Sequence, residues 1–147
     1  MRRRLIDALR ALVDLLFARA GSAHDGEFEY SPNLDGDPDP DEVVWAWVPY
    51  EDDPSQGKDR PVALIARRGG ALLGVALTSK RHTNEMQVAV GTGPWNREGR
   101  PSWAKVERVI ELRPHEVRRE GAVLDRRRFD AVVAGVRKAR SAGSGRR

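Results

Sequence analysis

The stretch VVWAWVPYEDDPSQGKDRPV, Val43 to Val62, decides how the rest of the chain is read. It opens as a strand-like apolar run carrying Trp45 and Trp47, and breaks at Pro49 into a polar loop. That loop holds Glu51, Asp52, Asp53, Pro54, Gln56, Gly57, Lys58 and Asp59, and it ends at Arg60-Pro61. A second apolar run, Val62 to Ala66, begins at once. Ordered loops of this length between two strands are mostly functional, so the loop is expected to lie over a site.

Further strands follow closely. Arg67-Arg68-Gly69-Gly70 turns the second run into a third, Ala71–Leu77. A polar loop, Thr78 to Glu85, precedes a fourth strand, Met86–Val90, which Gly91-Thr92-Gly93-Pro94 ends. Trp95, Asn96, Arg97 and Gly99 lie in the next loop, and Trp103–Leu112 supplies a fifth strand. Five short strands spaced by turns, without helices between them, predict a small antiparallel barrel or two packed sheets. Pro114-His115-Glu116 suits a short helical turn. A firmer helix is expected from an N-cap at Asp125 to about Arg140, with Phe129, Val132, Val133 and Val136 forming its apolar face. The Gly/Ser/Arg tail 141–147 is expected to be disordered.

Upstream, residues 1–21 form an N-terminal segment. In it Leu5, Leu9, Leu12, Val13, Leu16 and Phe17 recur at helical spacing, and Gly21 is a stop. Asp7, Arg10 and Asp14 interrupt the apolar stretch, which is also too short to span a bilayer, so no transmembrane segment is expected. Docking on protein or lying on an anionic membrane surface both remain open for this amphipathic helix. Residues 22–41 are an acidic Pro/Gly linker, in which Pro32, Pro38 and Pro40 forbid a helix. Residues 42–140 then make one barrel domain with its terminal helix.

The 147 residues have a net charge of +4, distributed in blocks. Residues 1–20 carry five Arg against two Asp, residues 24–59 twelve acids against Lys58 alone, and residues 60–147 twenty Lys/Arg against eight acids. The basic body suits a polyanion, and neutralisation by the chain's own acidic segment is an equal alternative. With no cysteine, thiolate and disulfide chemistry are excluded and a reducing cytoplasm is compatible. His24, His82 and His115 lie far apart, so neither a metal nor any other cofactor is expected.

No phosphate-cradling loop or nucleophile elbow is present; Gly91-Thr92-Gly93 reads as a turn. What remains is polar residues at strand ends: Gln56, Lys58 and Arg60 on one side, Thr78, Ser79, Lys80 and His82 on the other. Strands two and three run antiparallel across Gly69-Gly70, which makes Arg60 and Thr78 near neighbours. A guanidinium beside a hydroxyl at the mouth of a basic barrel suits a phosphate. An ordinary arginine beside a strand-ending threonine fits the same residues.

At these positions the sequence resembles the MazF/PemK family of toxin ribonucleases from bacterial toxin–antitoxin pairs. The resemblance rests on Glu42-Val43-Val44-Trp45, Gln56-Gly57-Lys58-Asp59-Arg60-Pro61, the strand Val62–Ala66, Leu77-Thr78-Ser79, and Lys105-Val106-Glu107-Arg108-Val109-Ile110. It covers about residues 42–140 and is nearest to PemK-like members with an added N-terminal helix and acidic linker. It implies an SH3-like barrel of the MazF/PemK/CcdB kind with a C-terminal helix, usually a homodimer in the cytoplasm. It further implies metal-free cleavage of single-stranded RNA, with an acidic antitoxin as partner. By carry-over, Arg60 would stabilise the charged phosphorane and Thr78 would hydrogen-bond the phosphate. Gln56, Lys58, Ser79 and Lys80 would hold the RNA, and Trp95, in its loop, would stack on a base.

The chain departs from the family pattern where acid–base groups belong. Ser55 stands where many relatives have glutamate, Pro54 where some have histidine, and Ala104 replaces an acidic residue. His82 is a candidate substitute. Three readings therefore stand: an endoribonuclease toxin, a catalytically impaired module binding RNA or protein, and a gyrase poison on the same architecture. The acidic segment is expected to lie across the basic cleft and compete with RNA.

Overall fold

The computed structural model describes residues 38–144. The segments expected to form the N-terminal amphipathic helix and most of the acidic linker (1–37), together with 145–147, lie outside the described residues. The described chain runs β1 (Glu42–Pro49), β2 (Gly57–Arg68), β3 (Ala71–Thr78), β4 (Gln87–Gly91), β5 (Ser102–Lys105), β6 (Ile110–Leu112), a 3-10 turn (Pro114–Glu116), β7 (Val117–Val123) and α1 (Arg126–Ser144). All strand pairs are antiparallel, in the order β4-β5-β3-β2-β1-β7, with β6 also on β3.

β3 is the central strand, and every one of its residues is buried. One edge pairs with β2; the other pairs with β6 near its start (Leu72↔Leu112) and β5 near its end (Leu77↔Ala104). The fifth strand expected over Trp103–Leu112 is therefore two strands. Their registers on β3 differ, and the turn between Lys105 and Ile110 absorbs the excess residues. β7 adds an element that the sequence did not announce, because Arg118, Arg119 and Glu120 conceal its alternation. Its pairing with β1 leaves it at an edge, where charged residues are tolerated. β4 and β7 end the sheet without pairing with each other, so the barrel curls but stays open.

Strand alternation divides the core into two clusters. On one face Val43, Ile65, Leu73, Val75 and Leu77 meet Phe129, Val132, Val133 and Val136 of α1. On the other, Val44, Ala46, Val48, Val62, Leu64, Leu72 and Ala76 are closed over by Ile110 and Leu112. Asp125 caps α1, its carboxylate accepting the Arg128 N–H at 2.8 Å. The helix continues through Ser144, past the expected end near Arg140, so 141–144 are helical rather than a disordered tail.

The last residues of the acidic segment are fastened to the body. The Asp41 N–H donates to the Leu64 carbonyl (2.9 Å) and the Leu124 N–H to the Asp41 carbonyl (2.8 Å). Asp39 pairs with Arg67 at 2.6 Å and the buried Glu42 with Arg119 at 2.9 Å.

Candidate functional site

The β1–β2 register sets Ala46 against Arg60 and Pro49 against Gly57, so the strands pair to the very end of β1. The long loop of the sequence reading is thereby shortened to 50–56, and Lys58, Asp59 and Arg60 sit on β2. The loop is compact: the Tyr50 N–H donates to the Gln56 carbonyl (2.9 Å), and the Ser55 hydroxyl donates to the Asp53 carboxylate (2.6 Å). Arg108, from the β5–β6 turn, donates to the Pro49 carbonyl at 2.6 Å and ties the loop to the opposite side of the sheet.

Between these elements lies a cleft of about 350 Å³. Val48, Ala76 and Ile110 form its apolar floor. Arg60, Lys105 and Arg108 supply three cations, while Glu51, Asp52, Glu85 and Glu107 supply four carboxylates. The Arg108 guanidinium is half-buried, and loss of water lowers its pKa from the ordinary arginine value, against the opposing pull of Glu51. Lys105 pairs with Glu85 at 3.8 Å, and Glu107 accepts the Met86 N–H at 2.8 Å. These contacts hold the segment before β4 against the β5–β6 turn.

The sequence-derived residues distribute unevenly around this cleft. Arg60, half-buried, lines it directly. Thr78 is 8% exposed, and its hydroxyl accepts the Lys80 N–H at 3.1 Å. The β2–β3 ladder ends at Val62↔Ala76, two residues short of Arg60 and Thr78; Thr78 pairs instead with Trp103 of β5 and does not line the cleft. Ser79 and Lys80 follow Thr78 as exposed residues, Gln56 is exposed at the end of loop 50–56, and Lys58 is exposed at the start of β2. His82 is half-buried in its loop, where its backbone N–H donates to the Gln87 side chain at 3.0 Å. It does not line the cleft.

Trp95 is corrected. It is 3% exposed in the main core, and its indole N–H donates to the Ser102 hydroxyl at 3.1 Å, so no base can stack on it. The ring folds back over Gly93, where a Cβ would stand 2.2 Å from the indole. Among the described residues the exposed large aromatic side chains are Trp47 and Tyr50, and Tyr50 lines the cleft.

Sequence reasoning missed Glu51, Glu85, Lys105, Glu107 and Arg108 as site residues. For Lys105, Glu107 and Arg108 the signal was faint, charged residues interleaved with the buried Ala104 and Val106; for Glu51 and Glu85, each one charge in a polar loop, there was none. Among the described residues, no three His, Cys, Asp or Glu side chains gather as a metal site would require.

Residues 39–139 match the family described as PemK-like, MazF-like toxin of type II toxin–antitoxin system. The chain belongs to that family. No curated protein matches the sequence. Among solved structures, the MazF of Deinococcus radiodurans aligns with a TM-score of 0.56 at 15% identity, covering 71% of this chain and 96% of the other. Toxin MazF-mt6 of Mycobacterium tuberculosis aligns with a TM-score of 0.50 at 15% identity, covering 67% and 94%. The Deinococcus radiodurans MazE–MazF structure (Form-II) aligns with a TM-score of 0.51 at 14% identity, covering 71% and 95%. At such identities these neighbours establish the shared fold: an antiparallel sheet with a C-terminal helix. In this PemK-like chain, no described helix is long and apolar enough to cross a membrane.

Proposed function

We propose that the protein is a toxin-type endoribonuclease that cleaves single-stranded RNA without metal, by attack of a 2′-hydroxyl on the adjacent phosphate. The observation that carries this reading is Arg60 in the wall of a cleft, two residues beyond the last β2–β3 pair as Thr78 is on the neighbouring strand, in a chain of the PemK-like, MazF-like family. The nucleophile is part of the substrate, so the protein must orient the phosphate, stabilise its developing charge and move protons. Arg60 stabilises the phosphorane, and the Thr78 hydroxyl donates a hydrogen bond to a phosphate oxygen. Gln56, Lys58, Ser79 and Lys80 hold the flanking backbone, which makes binding weaken with salt. Action in the cytoplasm as a homodimer, held in check by an acidic antitoxin, belongs to the same proposal. A relative solved as a MazE–MazF structure supports the antitoxin part.

Incubation with a long single-stranded RNA in EDTA tests the reading. Fragments ending in 2′,3′-cyclic phosphate and 5′-hydroxyl are expected. RNA left intact, or fragments bearing 5′-phosphates, would overturn it.

A further inference from the structure

Cleavage through a 2′-hydroxyl needs a proton acceptor beside the phosphate site. Four carboxylates line the cleft, and three are already engaged. Glu85 pairs with Lys105 at 3.8 Å, and Glu107 accepts the Met86 N–H at 2.8 Å. Asp52 has an interaction of its own.

Glu51 differs. It is exposed, lines the same cleft as Arg60, and makes no hydrogen bond among the described residues, its partner there being the charge of Arg108 across the cleft. The backbone just before it is nevertheless held, by the Arg108–Pro49 hydrogen bond at 2.6 Å and by the Tyr50–Gln56 hydrogen bond at 2.9 Å that closes the loop. An exposed carboxylate that lines the cleft, on a loop tied to the sheet, is positioned to take a proton from a ligand rather than to brace the fold.

We infer that Glu51 is the general base of this site, an assignment that rests on the endoribonuclease reading above. The Glu51 carboxylate accepts the proton of the 2′-hydroxyl while O2′ bonds to phosphorus. The P–O5′ bond breaks, and the leaving O5′ takes a proton from water at the open mouth of the cleft. The hydroxide so formed recovers the proton from Glu51, and the enzyme returns to its starting state. Arg60 faces the phosphate throughout. Arg108 is a positioning residue, because it acts through the Pro49 carbonyl on the loop that carries Glu51.

The test uses the full chain and one single-stranded RNA, with cleavage rate and affinity measured separately. Affinity is read on the same RNA carrying 2′-O-methyl groups, which cannot react. Glu51→Gln is expected to cleave about a hundredfold to ten-thousandfold more slowly, as loss of a general base does, while affinity stays within about threefold. Glu51→Asp, which keeps the carboxylate, should recover part of the rate. Cleavage by Glu51→Gln within tenfold of wild type would overturn the assignment and leave the endoribonuclease reading standing. Equal loss of cleavage and affinity would make Glu51 a binding residue and also overturn it. A wild-type protein that leaves RNA intact would overturn the reading and this inference with it.

Discussion

At the start of β1, Glu42 is 2% exposed and its carboxylate is consumed by the Arg119 guanidinium at 2.9 Å and by the Asp39 N–H. Just beyond the other end of β1, Glu51 faces an open cleft beside Arg60 and Arg108. The two acids lie at opposite ends of one strand, and the difference lies in what surrounds them. A carboxylate removed from water survives only when its lone pairs are occupied, so Glu42 holds the end of the acidic segment to the body. A carboxylate left in water needs no such partner, and Glu51, whose charge acts on Arg108, stays exposed to the cleft. One end of the β1–β2 pair is a fastening; the other is the candidate site.

The sharpest ways to break this contrast act on the fastened parts, which should cost stability and spare the chemistry. Trp95→Ala, in the core, should lower stability by about 3–5 kcal/mol in urea unfolding while leaving RNA affinity per folded molecule unchanged. Reduced affinity with intact stability would restore Trp95 as a base platform. Glu42→Gln leaves the Arg119 charge, about a quarter exposed, without its carboxylate. It should cost about 2–3 kcal/mol, somewhat less than a fully buried pair.

Gly57→Ala sits where the two roles meet. A Cβ there would stand 2.5 Å from the Val48 carbonyl oxygen and 2.6 Å from the Trp47 ring. The pairing that shapes loop 50–56 must shift, with a cost of about 1–3 kcal/mol in denaturant unfolding. The smallest effect is expected from Arg108→Lys, which keeps a cation but loses the fixed guanidinium hydrogen bond to Pro49. Loop 50–56 should exchange its amide hydrogens faster, with the global unfolding midpoint shifted by no more than about 1 kcal/mol. Unchanged exchange would show that the loop does not depend on Arg108.

Much of the fold that carries this contrast was legible in the sequence, but the contrast itself was not. Apolar runs marked β1 to β4, Gly69-Gly70 marked the tightest turn, and Asp125 with the Phe129–Val136 stripe marked the helix. Arg60 stood out because it precedes an apolar strand. Long-range pairing supplied the rest. Nothing local shows that Lys105, Glu107 and Arg108 reach the β1–β2 loop, because two differently registered ladders on β3 bring them there. Trp95 misled because Gly93, Pro94 and Asn96 mark a turn, and turns usually lie outside. Here the turn is the means by which the indole reaches the core.

Initial cleavage rates of one single-stranded RNA by wild type, Glu42→Gln and Arg60→Ala, each corrected for folded fraction, set the two ends of the sheet against each other. Folded Glu42→Gln should cleave at the wild-type rate, and Arg60→Ala about a hundredfold to a thousandfold more slowly, as expected for loss of a group that stabilises developing charge. Arg60→Ala cleaving as fast as wild type would contradict the assignment of the cleft as the site of reaction.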